Sequence, residues 1–271
     1  MKQIYIIPDR NHIGESLRLA EEYHAAFEYN DFFMPDVLDD SKMIQELIQF
    51  YRGLGRDMSK DTLHGAFLDV TVHSEDRLIR EASIHRMRQS MEVAQELGVR
   101  GVVFHTGRIA NFLEPSYLAN WKKKNAACIR ELLKQYPCQE IWMENMFDEA
   151  PDVLVEFAKE LEDEERFGIC LDYAHAALTG VDNERWVQQL APYIRHMHIN
   201  DHDGKNDLHW EIGCGSTDWK AYEELMKRYQ IHAGVLIEMN QTDHQRSSLE
   251  YLKGHKIYPF SNEGEEYEAD I

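Results

Sequence analysis

Short β-rich runs recur along the whole chain, each followed by a longer stretch with helical spacing, and this alternation limits the possible folds more than any other feature. The runs are QIYIIPD (3–9), HAAFEYNDFF (24–33), DTLHGAF (61–67), VRGVVFHTG (99–107), QEIWMEN (139–145), FGICLDYAH (167–175), IRHMHIND (194–201) and AGVLIEMN (233–240), eight in all. The cores GVVF, EIWM, GICL and GVLI are almost continuously apolar, as parallel strands covered on both faces must be. Between strands, the segment from Leu78 to Leu97 places Ile79, Ser83, Met87, Met91 and Ala94 on one helical face, with Gly98 as its stop signal.

An open doubly wound sheet competes with a closed barrel for such a pattern. The first strand lacks a GxGxxG turn, and eight strands is the number that closes a barrel, so the expectation is a single (β/α)8 TIM barrel. A length of 271 residues suits that architecture as one domain. No internal repeat or low-complexity linker interrupts the series, so the barrel is expected over residues 1–260, followed by a flexible acidic tail at 261–271.

The opening MKQIYIIPDRN is closed by Pro8 and Asp9 and reads as a strand rather than a signal peptide, and no apolar run approaches the roughly 20 residues of a membrane span. A cytoplasmic location without membrane partners is expected. Cys128, Cys138, Cys170 and Cys214 form no CxxC pair, which fits free thiols. The net charge of −20 leans against a polyanionic partner, although five of the acids lie in the tail and four more are candidate ligands. Lys122, Lys123 and Lys124 read as a solvated helix face.

In a barrel of this kind chemistry sits at the carboxyl ends of the strands. Those ends carry His64, His105, Glu144, Asp172 with His175, His198 and Glu238, and Asp207 and His209 follow in the loop after the seventh strand. All are imidazole or carboxylate groups, the ligand types of divalent metals. A lone histidine in a polar loop is more often merely hydrogen-bonded, which is the bland reading for His64 and His209. Glu144 after IWM, Asp172 after GICL and Glu238 after VLI are different, because an unpaired charge there is costly. Three convergent carboxylates repel one another unless a cation holds them ionised, so a metal shared by these three and His198 is expected. His196 alternates with His198 along one strand, so the two are expected to point in opposite directions, with only one of them facing the site.

From Ile4 to about Leu252 the chain resembles the xylose-isomerase-like barrel superfamily, which contains sugar and sugar-phosphate isomerases and epimerases together with endonuclease IV. In the epimerase branch one divalent ion, often manganese, is held by a Glu, Asp, His, Glu set, which the resemblance places at Glu144, Asp172, His198 and Glu238. Endonuclease IV has a trinuclear zinc site, and its motifs are similar to LHGAF (His64), FHTG (His105), LDYAH (Asp172, His175), MHIND (His198) and DLHWEIGCG (Asp207, His209), so all nine ligand positions are filled. The resemblance thus implies one to three Mn2+ or Zn2+ ions per chain. It departs from endonuclease IV in the loops after the first two strands, which offer Arg10, Asn11 and His12 and then the stretch Asp31 to Asp36 without a basic residue.

Two activities follow from the resemblance. As an isomerase or epimerase of a sugar or sugar phosphate, the protein would use Glu144 and Glu238 to take and return a proton through a metal-stabilised enediolate. His175 would orient a hydroxyl if it is not a ligand, and Phe67 or Trp142 would either pack on the sugar or belong to the core. As an endonuclease-IV-like phosphodiesterase acting on abasic DNA, it would use the ions to generate hydroxide, with Glu144 bridging them. The charge and the loops place the carbohydrate reading first.

Overall fold

The structure is a computed structural model that describes residues 2–261, so the expected tail beyond Ser261 lies outside the described residues. Eight parallel strands close into a barrel in chain order. They are β1 (Ile4–Ile6), β2 (Ala26–Tyr29), β3 (Thr62–His64), β4 (Gly101–His105), β5 (Glu140–Glu144), β6 (Phe167–Asp172), β7 (Ile194–Ile199) and β8 (Gly234–Ile237), and β8 pairs back onto β1. The fold is therefore the single (β/α)8 barrel expected from the alternation.

Period-two alternation sorts each strand into two faces. Ile4, Ile6, Phe27, Leu63, Val102, Phe104, Ile141, Met143, Leu171, Met197 and Val235 point outward into one continuous core beneath the helices. The intervening side chains fill the interior, where Val103, Trp142 and Cys170 make one packed group and Tyr5, Ile7, Ala26 and Leu236 another. Two glycines make room for the largest of these. A Cβ at Gly101 would lie 2.8 Å from the Trp142 ring, and one at Gly168 would lie 2.3 Å from the Arg195 side chain and 3.2 Å from the same indole.

The strands are shorter than the sequence runs, at three to six residues, because each ladder stops where the chain turns outward into a loop. The helix Arg77–Leu97 starts at Asp76, whose side chain accepts from the backbone N–H groups of Leu78 and Ile79, and stops at Gly98 in the left-handed region. Ser83, Met87, Met91 and Ala94 are buried as the spacing predicts. Ile79 is not: it is 49% exposed, because the first turn of this helix, Arg77 to Ile79, lies wholly in solvent.

Asp61, just before β3, is buried and ties neighbouring elements together. It accepts from Phe27 N at 2.8 Å and Tyr29 Oη at 2.6 Å and pairs with Arg56. The four cysteines are free, and no helix among the described residues is long and apolar enough to cross a membrane.

Candidate metal centre

Each ligand-type residue is placed by where its strand ends. His64, His105, Glu144 and Asp172 are the last residues of β3, β4, β5 and β6, and His198 is the penultimate residue of β7. Glu238 follows β8 directly, with its N–H on Ile199 O at 3.0 Å. Parallel register sets His105 beside Glu144 and Asp172 beside His198. The Asn145 amide then fastens β5 to β6, accepting from Asp172 N and donating to Asp172 O, both at 2.9 Å. His175 sits in the first turn of the helix Tyr173–Leu178, whose N-cap Asp172 accepts its N–H at 2.6 Å.

These residues converge on Glu144. Its Oε2 lies 3.2 Å from His105 Nε2, 3.3 Å from His198 Nδ1 and 3.7 Å from His64 Nε2, and its Oε1 lies 3.5 Å from His175 Nδ1. His198 Nδ1 is also 3.5 Å from Glu238 Oε1. Farther out, Asp207 Oδ2 stands 3.1 Å from both His175 Nε2 and His209 Nε2. Among the described residues four side-chain sets could each hold an ion: His64, His105 and Glu144; Glu144, Asp172 and His175; Asp172, His198 and Glu238; and Cys170, His196 and His198.

The histidines are oriented by the backbone. Nδ1 of His64 faces Gly65 O at 3.0 Å, that of His175 faces Asn145 O at 2.9 Å and that of His209 faces Glu238 O at 2.9 Å. A nitrogen facing a carbonyl must carry a proton, which leaves Nε2 of each ring as the nitrogen that could bind an ion. His64 Nε2 and His105 Nε2 are 3.2 Å apart, a crowding of ring nitrogens beside a carboxylate that a cation would relieve.

Unpaired polar atoms make the same point. Both oxygens of Glu144, Oδ2 of Asp172 and Nδ1 of His198 are buried without a hydrogen-bond partner among the described residues. Buried polar atoms are seldom left so, and a divalent ion would satisfy this donor set. Burial raises Glu144 and Glu238, yet His198 with His105 on the first and His198 with His209 on the second outweigh it. Glu144 is therefore held well below the usual carboxylate range and Glu238 is lowered to about 2. Burial, only partly offset by His175 and reinforced by Glu238 and Glu144, drives Asp172 far up. Burial lowers an imidazole, but the acids around His175 and His209 outweigh it; both are raised, His209 to about 10. A proton thus stands where a cation would otherwise sit between Asp207 and its two histidines.

All nine metal-ligand positions expected from the sequence lie at this one face of the barrel. Phe67 is half-buried at the rim, its ring 5.0 Å from that of His105 and 5.1 Å from that of Phe33. Trp142 requires a correction. It is fully buried, two residues before Glu144 on the same inward face and so one layer deeper, stacked on His196 at 4.9 Å and 12°. It offers no surface to a substrate. The expectation for His196 and His198 is also corrected: residues two apart share a strand face, and both rings point into the barrel, where they are 5.2 Å apart.

The sequence reading missed Glu28, Asn145 and Asp201. Glu28 is buried at the axis against His196 and His198. Asp201 holds the loop after β7 by accepting from Gly213 N at 3.0 Å, Thr217 N at 3.1 Å and Trp219 Nε1 at 3.0 Å. The signal for Asn145 was its place next to a strand-end acid; those for Glu28 and Asp201 were long-range and had no local signature.

The sequence matches the family described as xylose isomerase-like TIM barrel over residues 19–255. It is 27% identical over 202 residues to the uncharacterized protein MJ1311 of Methanocaldococcus jannaschii, covering 70% of this chain and 68% of that one. It is 25% identical over 190 residues to a probable endonuclease 4 of Campylobacter concisus, covering 62% of this chain and 65% of that one. A D-tagatose 3-epimerase-like protein has a similar fold, with a TM-score of 0.72 and 23% identity over 94% of this chain and 97% of that one.

Proposed function

From the premise that this chain belongs to the xylose isomerase-like TIM barrel family, we propose that it is a divalent-metal-dependent isomerase or epimerase of a sugar or sugar phosphate. The observation that carries the reading is the convergence of Glu144, Asp172, His198 and Glu238 with unpaired buried ligand atoms. These four would hold the ion, Mn2+ or Zn2+, and when bound it supplies Lewis acidity to a carbonyl and a neighbouring hydroxyl oxygen.

The chain's own residues would do the rest. Glu144 and Glu238 approach the same His198 nitrogen, at 3.3 and 3.5 Å, and their low pKa values keep both ionised in neutral solution. One carboxylate takes the proton from the carbon beside the carbonyl and later releases it to solvent, while the other takes up a solvent proton and delivers it to the opposite side, which inverts that carbon with no net change in protons. Phe67 and Phe33 form an apolar wall at the rim, suited to the C–H face of a sugar.

The surroundings favour a small substrate over a nucleic acid. Arg10 is paired with Asp31 at 2.7 Å, and Arg108 is buried against Asp148 at 2.9 Å. The loops after β3, β4, β5 and β7 expose Leu68, Ile109, Phe112, Phe147 and Trp210. The test is solvent exchange at carbon. Incubated in D2O with a panel of ketoses and their phosphates, the metal-loaded protein should wash deuterium into one substrate at the carbon next to the carbonyl. Loss of exchange in Glu238→Gln, with the fold intact, is expected; full exchange in that variant removes Glu238 from the proton transfer.

A second reading, zinc-dependent phosphodiester hydrolysis, is favoured by a different observation. Glu144 stands at the shared corner of two ligand sets, and Asp207 Oδ2 lies 3.1 Å from both His175 Nε2 and His209 Nε2, as a multi-ion centre would allow. The likeness to a protein named as a probable endonuclease 4 points the same way. Cleavage of an abasic duplex, with no carbon exchange on any ketose, would establish this reading in place of the first.

A further inference from the structure

The large apolar side chains left exposed are not spread evenly over the molecule. Of twelve among the described residues, eight stand in the loops that follow β2, β3, β4, β5 and β7, around the metal centre. The other four, Met43, Phe50, Leu78 and Ile79, lie on the helices Ser41–Gly53 and Arg77–Leu97. Single exposed apolar residues are ordinary, but a concentration of them at one mouth marks a binding surface. These are also close in sequence to the ligand-type residues. Leu68 and Ile109 come four residues after His64 and His105, Phe147 three after Glu144, and Trp210 directly follows His209. Phe67, half-buried with its ring 5.0 Å from that of His105, joins the rim to the centre.

The apolar loops are held in place from below. Arg108 pairs with Asp148 at 2.9 Å and with Glu149, Thr106 Oγ1 donates to Asp148 at 2.7 Å, and Asn111 N donates to Glu149, so the loops after β4 and β5 are tied to each other. Tyr117 Oη accepts from Ile109 N at 2.8 Å, and its ring meets that of Phe112 edge-on at 4.8 Å. Backbone pairing of Trp210 with Asp201 fixes the loop after β7. The same bonds occupy the cations. Of the arginines and lysines in the loops at this face, Arg10 is paired with Asp31 and Arg108 with Asp148 and Glu149. That leaves Lys205, beside the Asp203 carboxylate that accepts its backbone N–H at 2.9 Å. A phosphate would find one exposed lysine and no fork of paired donors.

We propose that these loops form an apolar subsite, and that the substrate is an unphosphorylated keto sugar carrying an apolar substituent, which the subsite takes while the sugar lies at the metal. The polar centre would set the orientation of the sugar, and the apolar area covered by the substituent would add affinity in proportion to its size. The nature of the sugar rests on the isomerase reading; the subsite rests on the loops.

The test is calorimetric titration of the metal-loaded protein with methyl, hexyl and octyl glycosides of D-fructose and of D-glucose, below their micelle concentrations. Affinity should rise about 2- to 4-fold per added methylene, with an increasingly negative heat-capacity change. The double variant Ile109→Ser, Phe147→Ser, both at exposed positions, should lose most of that gain, and fructose 6-phosphate should bind no tighter than fructose. Equal affinity along the series, no detectable binding of the octyl probes, a gain that survives in the double variant or a preference for the phosphate would each overturn the proposal. So would a dimer in sedimentation that the double variant abolishes, since the rim would then be an interface between two copies. Carbon exchange on an unsubstituted ketose without a chain-length effect would uphold the isomerase reading and overturn this one. A chain-length effect lost in the double variant, with no exchange on any ketose, would refute the isomerase reading and support the subsite.

Discussion

Trp142→Ala would leave a large void directly beneath the metal centre, because the indole is fully buried against His196 between two glycines. A loss of about 3–5 kcal/mol in denaturant unfolding is expected, and a loss under about 1 kcal/mol would show that the interior layer is not packed as described. At the mouth the decisive quantity is protonation. Without an ion, the acids beside His209 raise its pKa from 6.5 to about 10, so the proton's contribution to stability is complete below pH 6.5 and lost as pH rises through about 10. A cation displaces that proton. Zinc binding near pH 7 should therefore release protons, seen as a calorimetric enthalpy that changes with the ionisation enthalpy of the buffer; an enthalpy independent of buffer contradicts the account. The residues that could be read from sequence were those where a charge directly ends an apolar run, as at Glu144, Asp172 and Glu238. Trp142 lies on the inward face of β5 but one layer below the centre, a depth that periodicity cannot give, since it fixes the face of a strand and not the layer. Glu28 and Asp61 escaped because most of their partners lie 32 or more residues away, beyond any local pattern.

At the scale of elements, the eight strands were legible because each is a short apolar run bounded by polar residues, and their ends were not, because ladders stop where loops pull away. The loop after β7 is the clearest case of an element organised by one residue. Asp201 gathers the N–H groups of Gly213 and Thr217 and the Trp219 indole, while its backbone pairs with Trp210, the residue after His209. Asp201→Ala should release this segment and with it Asp207 and His209. The expected result is a loss on the order of 3 kcal/mol in stability, from buried donors left unmatched, and a weakened outer ion set with the Glu144 set retained. Elemental analysis and chelator titration of the variant check this. Loss of all bound metal would mean that the outer residues are not a separable set.

For the whole molecule, a net charge of −20 and a mouth lined with exposed apolar side chains argue for a small substrate. The chain should pass through heparin at low salt and show no salt-dependent retention; strong retention would favour the nucleic-acid reading. The ion should also be part of what holds the closed end of the barrel together. At a free concentration about 1,000 times its dissociation constant it would add about 4 kcal/mol to stability, so chelation should lower the thermal midpoint and re-addition of zinc or manganese should restore it.

The central claim is that Glu144, Asp172, His198 and Glu238 form a divalent-metal centre. It is tested most directly by metal content per chain, measured on protein prepared without chelator and after reconstitution with zinc and with manganese, for the wild type and for a variant carrying His198→Ala and Glu238→Gln. The account predicts at least one ion per wild-type chain and the loss of that ion in the variant. A wild-type chain that holds none after reconstitution, or a variant that keeps its full complement, would contradict it.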